Sequence, residues 1–153
     1  MRWYEIDPVP ATPVVLHSSH AGVTDAFAFN GAISPDRANN NGVGTFGNRF
    51  MIEFNSSSKF DEPNIFAASG VNGNVNSFLL VEAGVAPYID GSSCPNPGDK
   101  CRWGDYSGAS PDPTPVFLTR TSGVVWGTNQ FGGVSITLPI GNEWRTRIFA
   151  LEP

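Results

Sequence analysis

The chain has 153 residues, a formal net charge of −5 at pH 7 and a pI near 4.8, and 15% of its residues are charged. Its nine Lys and Arg residues are scattered, which excludes a phosphate-binding nucleic-acid surface, and a hydrophobic content of 40% excludes a disordered chain. No apolar run approaches the roughly 20 residues that a membrane span needs.

Short apolar runs alternate with turn residues along the whole chain. In chain order, strands are predicted at residues 3–6, 14–16, 26–29, 49–55, 64–68, 77–82, 123–129 and 143–150. The 17 Gly and 13 Pro residues between them predict many turns, and no window combines helical periodicity with caps. We therefore expect an all-β fold with almost no helix.

The clearest strand spans residues 49–55. Phe50, Ile52 and Phe54 share one face, whereas Arg49, Glu53 and Asn55 share the other. The chain itself opens on a segment that resembles a strand entered midway and has no signal-peptide h-region. We expect the chain to be the downstream part of a longer protein.

Two segments of the chain resemble each other. Phe29–Asp36 (FNGAISPD) matches Tyr106–Asp112 (YSGASPD) with one residue deleted, and a turn-rich loop and an aromatic-Gly step follow each copy. A third echo pairs residues 3–6 with 144–148. Such repetition predicts β units that cover one another's apolar faces, and the alternative is chance recurrence in a turn-rich chain.

The repeat predicts a division of the chain into sheet units. The units are a late strand of a preceding blade (1–8), one blade (14–90), a cysteine loop (91–101) and a terminal blade (102–153). Two blades cannot close a ring, so we expect a fragment of a larger propeller, self-association that completes the circle, or open edges that are protected in another way.

The segment RWGDYS at 102–107 and the WRTRI strand at 144–148 carry a family resemblance. Together they resemble bacterial secreted or surface proteins of the sialidase-like, BNR-repeat β-propeller class. The resemblance implies about two four-stranded antiparallel blades in an incomplete ring. The family's Asp-box is degenerate here, because a long insert separates Ser34-Pro35-Asp36 from the next Gly-Thr and no Gly follows Asp112 in the second copy.

The resemblance also suggests candidate catalytic residues. A sialidase needs an arginine cluster, a Tyr nucleophile with a Glu partner and an acid Asp. Residues of these types are Arg102, Asp105, Tyr106 and Glu143, with Arg145 and Arg147 as further cations. In the structural alternative, Trp103 and Tyr106 pack between blades while Arg102 and Asp105 pair with each other or with turn backbone.

Aromatic residues on loops are candidates for stacking on sugar rings. Tyr88, Trp103, Tyr106 and Trp126 are the candidate ligand-binding residues, and the alternative for Trp103 and Trp126 is a place in the core. The sequence favours a non-catalytic extracellular or cell-surface module that binds a glycan or a protein or only builds structure. A sialidase-like glycoside hydrolase fragment is the alternative function.

The two cysteines bear on localisation. Cys94 and Cys101 enclose a loop with two Pro and one Gly, which makes a local disulfide reasonable and predicts a secreted or surface protein, whereas their spacing is not C-x-x-C. A metal or redox pair is the alternative.

Metal binding has weak support in the sequence. His17 and His20 have only Asp25 as a nearby third ligand, so solvated histidines on a polar loop are expected and no metal site is assigned. Oxygen ligands at Asp36 and the run Asn39-Asn40-Asn41 make calcium a candidate cofactor, although a tight turn explains these residues equally well. Asn55-Ser56-Ser57 is a glycosylation sequon.

Overall fold

The computed structural model describes residues 1–37, 39–40, 43–44, 47–88, 101–114, 122–134 and 142–153. These residues form strands and no helix, which confirms the all-β prediction. The strands are β1 (Arg2–Asp7), β2 (Val14–His20), β3 (Phe27–Pro35), β4 (Asn39–Asn40), β5 (Val43–Gly44), β6 (Arg49–Ser57), β7 (Asn64–Val71), β8 (Asn74–Glu82), β9 (Gly108–Pro111), β10 (Val125–Val134) and β11 (Asn142–Leu151). The described part of the chain holds no helix that would serve as a membrane span.

The strands form three main antiparallel sheets. β1 and β2 make the hairpin sheet, β3-β6-β7-β8 the central sheet and β9-β10-β11 the terminal sheet, with β10 in the middle. The short β4-β5 hairpin is inserted between β3 and β6. None of these sheets closes on itself, and the terminal sheet has three strands among the described residues where four were predicted. The predicted blade at 14–90 begins with β2, which pairs with β1 in the hairpin sheet.

Strand β6 of the central sheet is buried on both faces. On one face, Phe50, Ile52 and Phe54 pack with Trp3 of the hairpin sheet. The ring centroids of Trp3 and Phe50 are 4.8 Å apart. On the other face, Met51 packs in a second cluster with residues of the terminal sheet. The predicted division of β6 into two faces is confirmed, and the face that carries polar residues is buried as well.

The two Ser-Pro-Asp segments occupy equivalent positions in their sheets. Pro35 of β3 pairs with Phe50 of β6, and Pro111 of β9 pairs with Val125 of β10. Phe50 points to the hairpin sheet, whereas Val125 points to the central sheet. The corresponding face of each copy therefore packs on the preceding sheet: the central sheet packs on the hairpin sheet, and the terminal sheet packs on the central sheet.

The backbone at the end of each copy repeats the same hydrogen bond. The Asp36 N–H donates to the Arg49 carbonyl at 3.0 Å, and the Asp112 N–H donates to the Val124 carbonyl at 2.8 Å. In both copies the acceptor directly precedes the residue that pairs with proline. The sequence repeat is thus a repeat of local structure over these residues.

The extra residue of the first copy lies in a β-bulge. Matching identical residues in the two sequences leaves Ile33 without a counterpart, whereas the pairing registers align Ile33 with Ala109. Instead, the register of β3 shifts between Phe29 and Ala32. A bulge inserts one residue and leaves it unpaired, and Asn30 within it adopts a positive φ of 48°.

The third sequence echo has dissimilar surroundings. Trp3 on β1 is buried against Phe50, whereas Trp144 on β11 is half-exposed. β1 pairs with β2 in a two-stranded sheet, and β11 is the outer strand of a three-stranded sheet. The resemblance between residues 3–6 and 144–148 therefore does not extend to the packing of the two tryptophans.

Candidate functional site

A groove of about 360 Å³ lies beside the segment that carries the RWGDYS motif. Its lining residues are Tyr88, Arg102, Trp103, Gly104, Asp105, Tyr106, Gln130 and Trp144. Gly104 passes so close to Gln130 of β10 that a Cβ at this position would collide with the side-chain amide. The segment thus passes directly over the Gln130 side chain of the terminal sheet.

A salt bridge forms one part of the groove wall. Arg102 Nη2 donates to Asp105 Oδ2 at 2.6 Å, three residues apart along the segment, and both side chains are exposed. The hydrogen bond and the charge of Asp105 raise the pKa of Arg102. The predicted pairing of these two residues is confirmed, and it places a cation and an anion side by side in the groove.

Four aromatic side chains supply the apolar lining. Trp103 is held by two contacts: its indole N–H donates to Asn55 Oδ1 at 3.0 Å, and its ring packs edge-on against Tyr88 at 5.4 Å. Tyr106 is 85% exposed and Trp144 is half-exposed. The groove therefore combines one oriented indole with two rings that are open to solvent.

A buried polar network lies beneath Trp103, between the central and terminal sheets. Asn55 accepts the indole hydrogen bond and also a 3.3 Å hydrogen bond from Asn30 Nδ2, and Asn30 Nδ2 lies 3.0 Å from Asn129 Oδ1. Asn129 Nδ2 donates to the Asn30 carbonyl at 2.8 Å and to Glu53 Oε2 at 2.6 Å. The network thus runs from the groove wall to a buried carboxyl group.

Glu53 is the most perturbed acid of the described residues. Burial raises the pKa of Glu53 to about 8, although hydrogen bonds from Asn129 and Ser107 lower it. Its Oε1 makes no well-formed hydrogen bond with the described residues. At neutral pH the carboxyl group is therefore mostly protonated.

Trp126 is the one candidate ligand-binding residue that does not line the groove. Trp126 donates its indole N–H to Asp112 Oδ2 at 2.8 Å, and it is not among the lining residues. Trp126 is 45% exposed, so its alternative assignment to the core is wrong. The expectation that Tyr106 packs between blades is also wrong for the sheets described, because its ring is exposed.

The predicted arginine cluster does not form at the groove. Arg145 donates to the Val134 carbonyl at 2.7 Å, and Arg147 Nε lies 3.6 Å from Glu82 Oε2. Neither of these arginines nor Glu143 lines the groove, so Arg102 is the one cation there among the residues that the structure describes.

The histidines lie on a strand and not on a polar loop. His17 Nδ1 is 2.8 Å from Glu5 Oε2, and its imidazole packs over Gly73. Across the described ranges no three His, Cys, Asp or Glu side chains come together as a metal site. Both histidines are exposed, as expected for solvated side chains, but the expectation that they lie on a loop is wrong because both belong to β2.

The calcium candidate is only partly described. Asp36 is fully buried and accepts a hydrogen bond from the Gly123 N–H at 2.8 Å. The side chains at 39–41 lie outside the described residues. Calcium binding there remains a prediction.

The sequon asparagine is inaccessible in the folded protein. Asn55 is fully buried, and its Nδ2 donates to the carbonyls of Asn64 and Gln130. An attached glycan would replace one of the two Nδ2 hydrogens that make these bonds and has no space beside a fully buried side chain, so the folded chain cannot carry one at this position.

The predicted disulfide involves a residue that is not described. Cys101 Sγ lies 3.2 Å from the Tyr88 carbonyl oxygen, which places it beside the groove. Cys94 lies outside the described residues, so the Cys94–Cys101 pairing remains a prediction.

The sequence does not indicate the network, nor does it single out Gly104, Gln130 and Trp144 as groove residues. The sequence places Glu53 on the polar face of β6, but the alternation of polar and apolar residues does not indicate that a second sheet covers that face. Asn30 lies inside the repeated segment, and the residue count that differs between the copies was the available signal of its bulge. Trp144 begins the WRTRI strand, and nothing in that motif indicates that its ring lines a groove.

The fold and the site together define a protein of stacked antiparallel β-sheets with an aromatic groove above a buried polar network. The chain matches no family model, no curated protein sequence and no solved structure.

Proposed function

We propose that this chain is a non-catalytic, extracellular or cell-surface module of β-propeller type that binds a glycan in the groove. The observation that carries the proposal is the juxtaposition of exposed aromatic rings with the Arg102–Asp105 pair in one groove. Ligand sites typically combine apolar and aromatic lining with a few placed polar groups, and this groove has that composition.

The chemistry of the groove suits a sugar. The flat faces of Trp103, Tyr106 and Trp144 can pack against the C–H face of a pyranose ring. The guanidinium of Arg102 and the carboxylate of Asp105 offer donors and acceptors to its hydroxyl groups. Trp103 is already oriented by Asn55 and Tyr88, so little side-chain freedom is lost when a ligand binds.

The propeller part of the proposal is supported by the repeat. The central sheet has four antiparallel strands in the order β3-β6-β7-β8, and β9 of the terminal sheet repeats the pairing of β3. Sheets stacked with equivalent faces in the same direction are the arrangement of neighbouring propeller blades. An extracellular or surface location is the expectation that follows from the predicted disulfide.

Binding to a glycan array, followed by calorimetric titration of each glycan that binds, tests the proposal. Tyr106→Ala should weaken the affinity about tenfold or more, which corresponds to about 1.4 kcal/mol. Phe60→Ala is the matched control, because Phe60 is 83% exposed and lies outside the groove. No binding to any glycan, or an equal effect of both substitutions, would overturn the proposal.

A sialidase-like hydrolase fragment is the second candidate function. One observation favours it: Asp105 and Tyr106, the candidate acid and nucleophile, line the same groove. Turnover of a fluorogenic sialoside by the protein, and its loss in Tyr106→Phe, would replace the non-catalytic proposal. Glycan binding without turnover is the result expected here.

A further inference from the structure

The outer face of the terminal sheet carries exposed apolar side chains. Trp126 on β10 is 45% exposed and Ile148 on β11 is 69% exposed. Trp126 pairs with Ala150, two residues from Ile148, so the two large side chains are diagonal neighbours on one face. Val125, the neighbour of Trp126 on the strand, points the other way into the core.

The repeat relates the outer face of the terminal sheet to a covered face of the central sheet. Ser34 pairs with Met51 in the central sheet, and Ser110 pairs with Trp126 in the terminal sheet, so Trp126 occupies the position of Met51. Met51 is fully buried because the terminal sheet covers it. The outer face of the terminal sheet therefore repeats a face that, one sheet earlier, is covered by another antiparallel sheet.

The hairpin sheet at the other end of the stack also has an apolar outer face. Because Trp3 points to the central sheet, strand alternation places Tyr4 on the opposite side, and Ile6 follows a shift in the register of β1 with β2. Both are half-exposed, and Val15, which pairs with Ile6, is half-exposed as well. The first and the last of the described sheets thus each carry exposed apolar side chains on the outer face.

The two outer faces carry opposite charges next to their aromatic rings. The Arg2 guanidinium lies 5.1 Å from the centre of the Tyr4 ring. Asp112 accepts the indole hydrogen bond of Trp126, and hydrogen bonds from Thr114 and Trp126 lower the pKa of Asp112. A cation on one face and an anion on the other favour contact between unlike faces over contact between like faces.

We propose that the outer face of the terminal sheet of one chain docks on the outer face of the hairpin sheet of a second copy. The contact continues the stack of sheets from one chain into the next. It is heterologous, so it produces a closed ring or an open array according to the rotation between copies. Neither Trp126 nor Ile148 lines the groove, although Trp144, which strand alternation places on the same face of β11 as Ile148, does line it.

Light scattering and sedimentation of the full chain over a concentration series test the proposal. The wild-type mass should rise with concentration above the 16.4 kDa of one chain. Ile148→Lys and Tyr4→Lys should each remain at the mass of one chain, since each destroys one of the two faces. Phe60→Lys, which changes an exposed aromatic elsewhere, should associate like the wild type.

Mixing the two variants separates the proposed contact from other modes of association. Ile148→Lys retains an intact hairpin face and Tyr4→Lys an intact terminal face, so an equimolar mixture should form a one-to-one dimer and stop there. Circular dichroism confirms that each variant keeps its strand content. A wild type that stays monomeric at all concentrations, or a mixture that does not pair, would overturn the proposal.

Discussion

Glu53 on β6 and Asn129 on β10 are joined by a 2.6 Å hydrogen bond that is buried between the central and terminal sheets. The bond links the carboxyl group with the most perturbed pKa to the network that holds Trp103 in the groove wall. The same few side chains thus join the central and terminal sheets, surround the carboxyl group of Glu53 and hold Trp103 in the groove wall.

The raised pKa of Glu53 makes stability depend on pH. Because its pKa rises from 4.5 to about 8 on folding, the folded chain keeps a proton that the unfolded chain releases in this range. The contribution of Glu53 to stability is fully present below pH 4.5 and is lost as the pH rises towards 8. Between these two pH values, the folding equilibrium constant falls about tenfold for each pH unit.

Glu53→Gln should remove most of this slope, since an amide of similar shape does not titrate. Urea unfolding at several pH values between 5 and 8 measures it, with Asp25→Asn as a control at an exposed carboxylate. A wild type whose stability is constant over this range would contradict the prediction, as would an equal slope in Glu53→Gln.

Asn129 supplies the donor on which two buried acceptors depend. Replacing it with Ala leaves Glu53 Oε2 and the Asn30 carbonyl without their hydrogen bonds from Nδ2. Each unsatisfied buried group costs about 1–3 kcal/mol, so Asn129→Ala should lower the free energy of unfolding by at least that amount. Chemical denaturation measures the effect, and an exposed amide such as Asn74 provides the control substitution to Ala. A loss no larger than that of the control would be inconsistent with a stabilising network.

Gly70 lies where the central sheet has no room for a side chain. A Cβ there would lie 2.3 Å from Phe50 Cζ and 2.4 Å from the Asn74 carbonyl oxygen, and the backbone oxygen cannot move away cheaply. Gly70→Ala should destabilise the fold by about 1–3 kcal/mol. Gly22→Ala is the matched control, because its Cβ would meet only Ala28 Cβ at 3.9 Å. Equal melting temperatures for the two variants would contradict this description of the core.

Much of the fold was accessible from the sequence because alternation and turns are local signals. The pattern of Phe50, Ile52 and Phe54 gave the correct inner face of β6. Local patterns cannot show that a distant sheet covers the other face, so the burial of Glu53 and Asn55 was not predicted. The pairing of Arg102 with Asp105 was predicted because three residues of separation bring them together.

The position of the bulge illustrates the same limit. Comparison of the two repeats detects one extra residue, but maximising identities placed the gap at Ile33. Backbone pairing places the extra residue in the bulge between Phe29 and Ala32, where Asn30 has a positive φ and its side-chain amide joins the network. Likewise, the exposure of Tyr106 and Trp126 depends on packing between elements that are far apart in the chain.

The indole N–H signals of the four tryptophans test the glycan-binding groove most directly. In a ¹H–¹⁵N NMR titration of the ¹⁵N-labelled protein with a glycan that binds, we expect the signals of Trp103 and Trp144 to shift. Those of Trp3 and Trp126 should stay in place, because neither residue lines the groove. Shifts confined to Trp3 or Trp126, or four unchanged signals at saturation, would contradict the account.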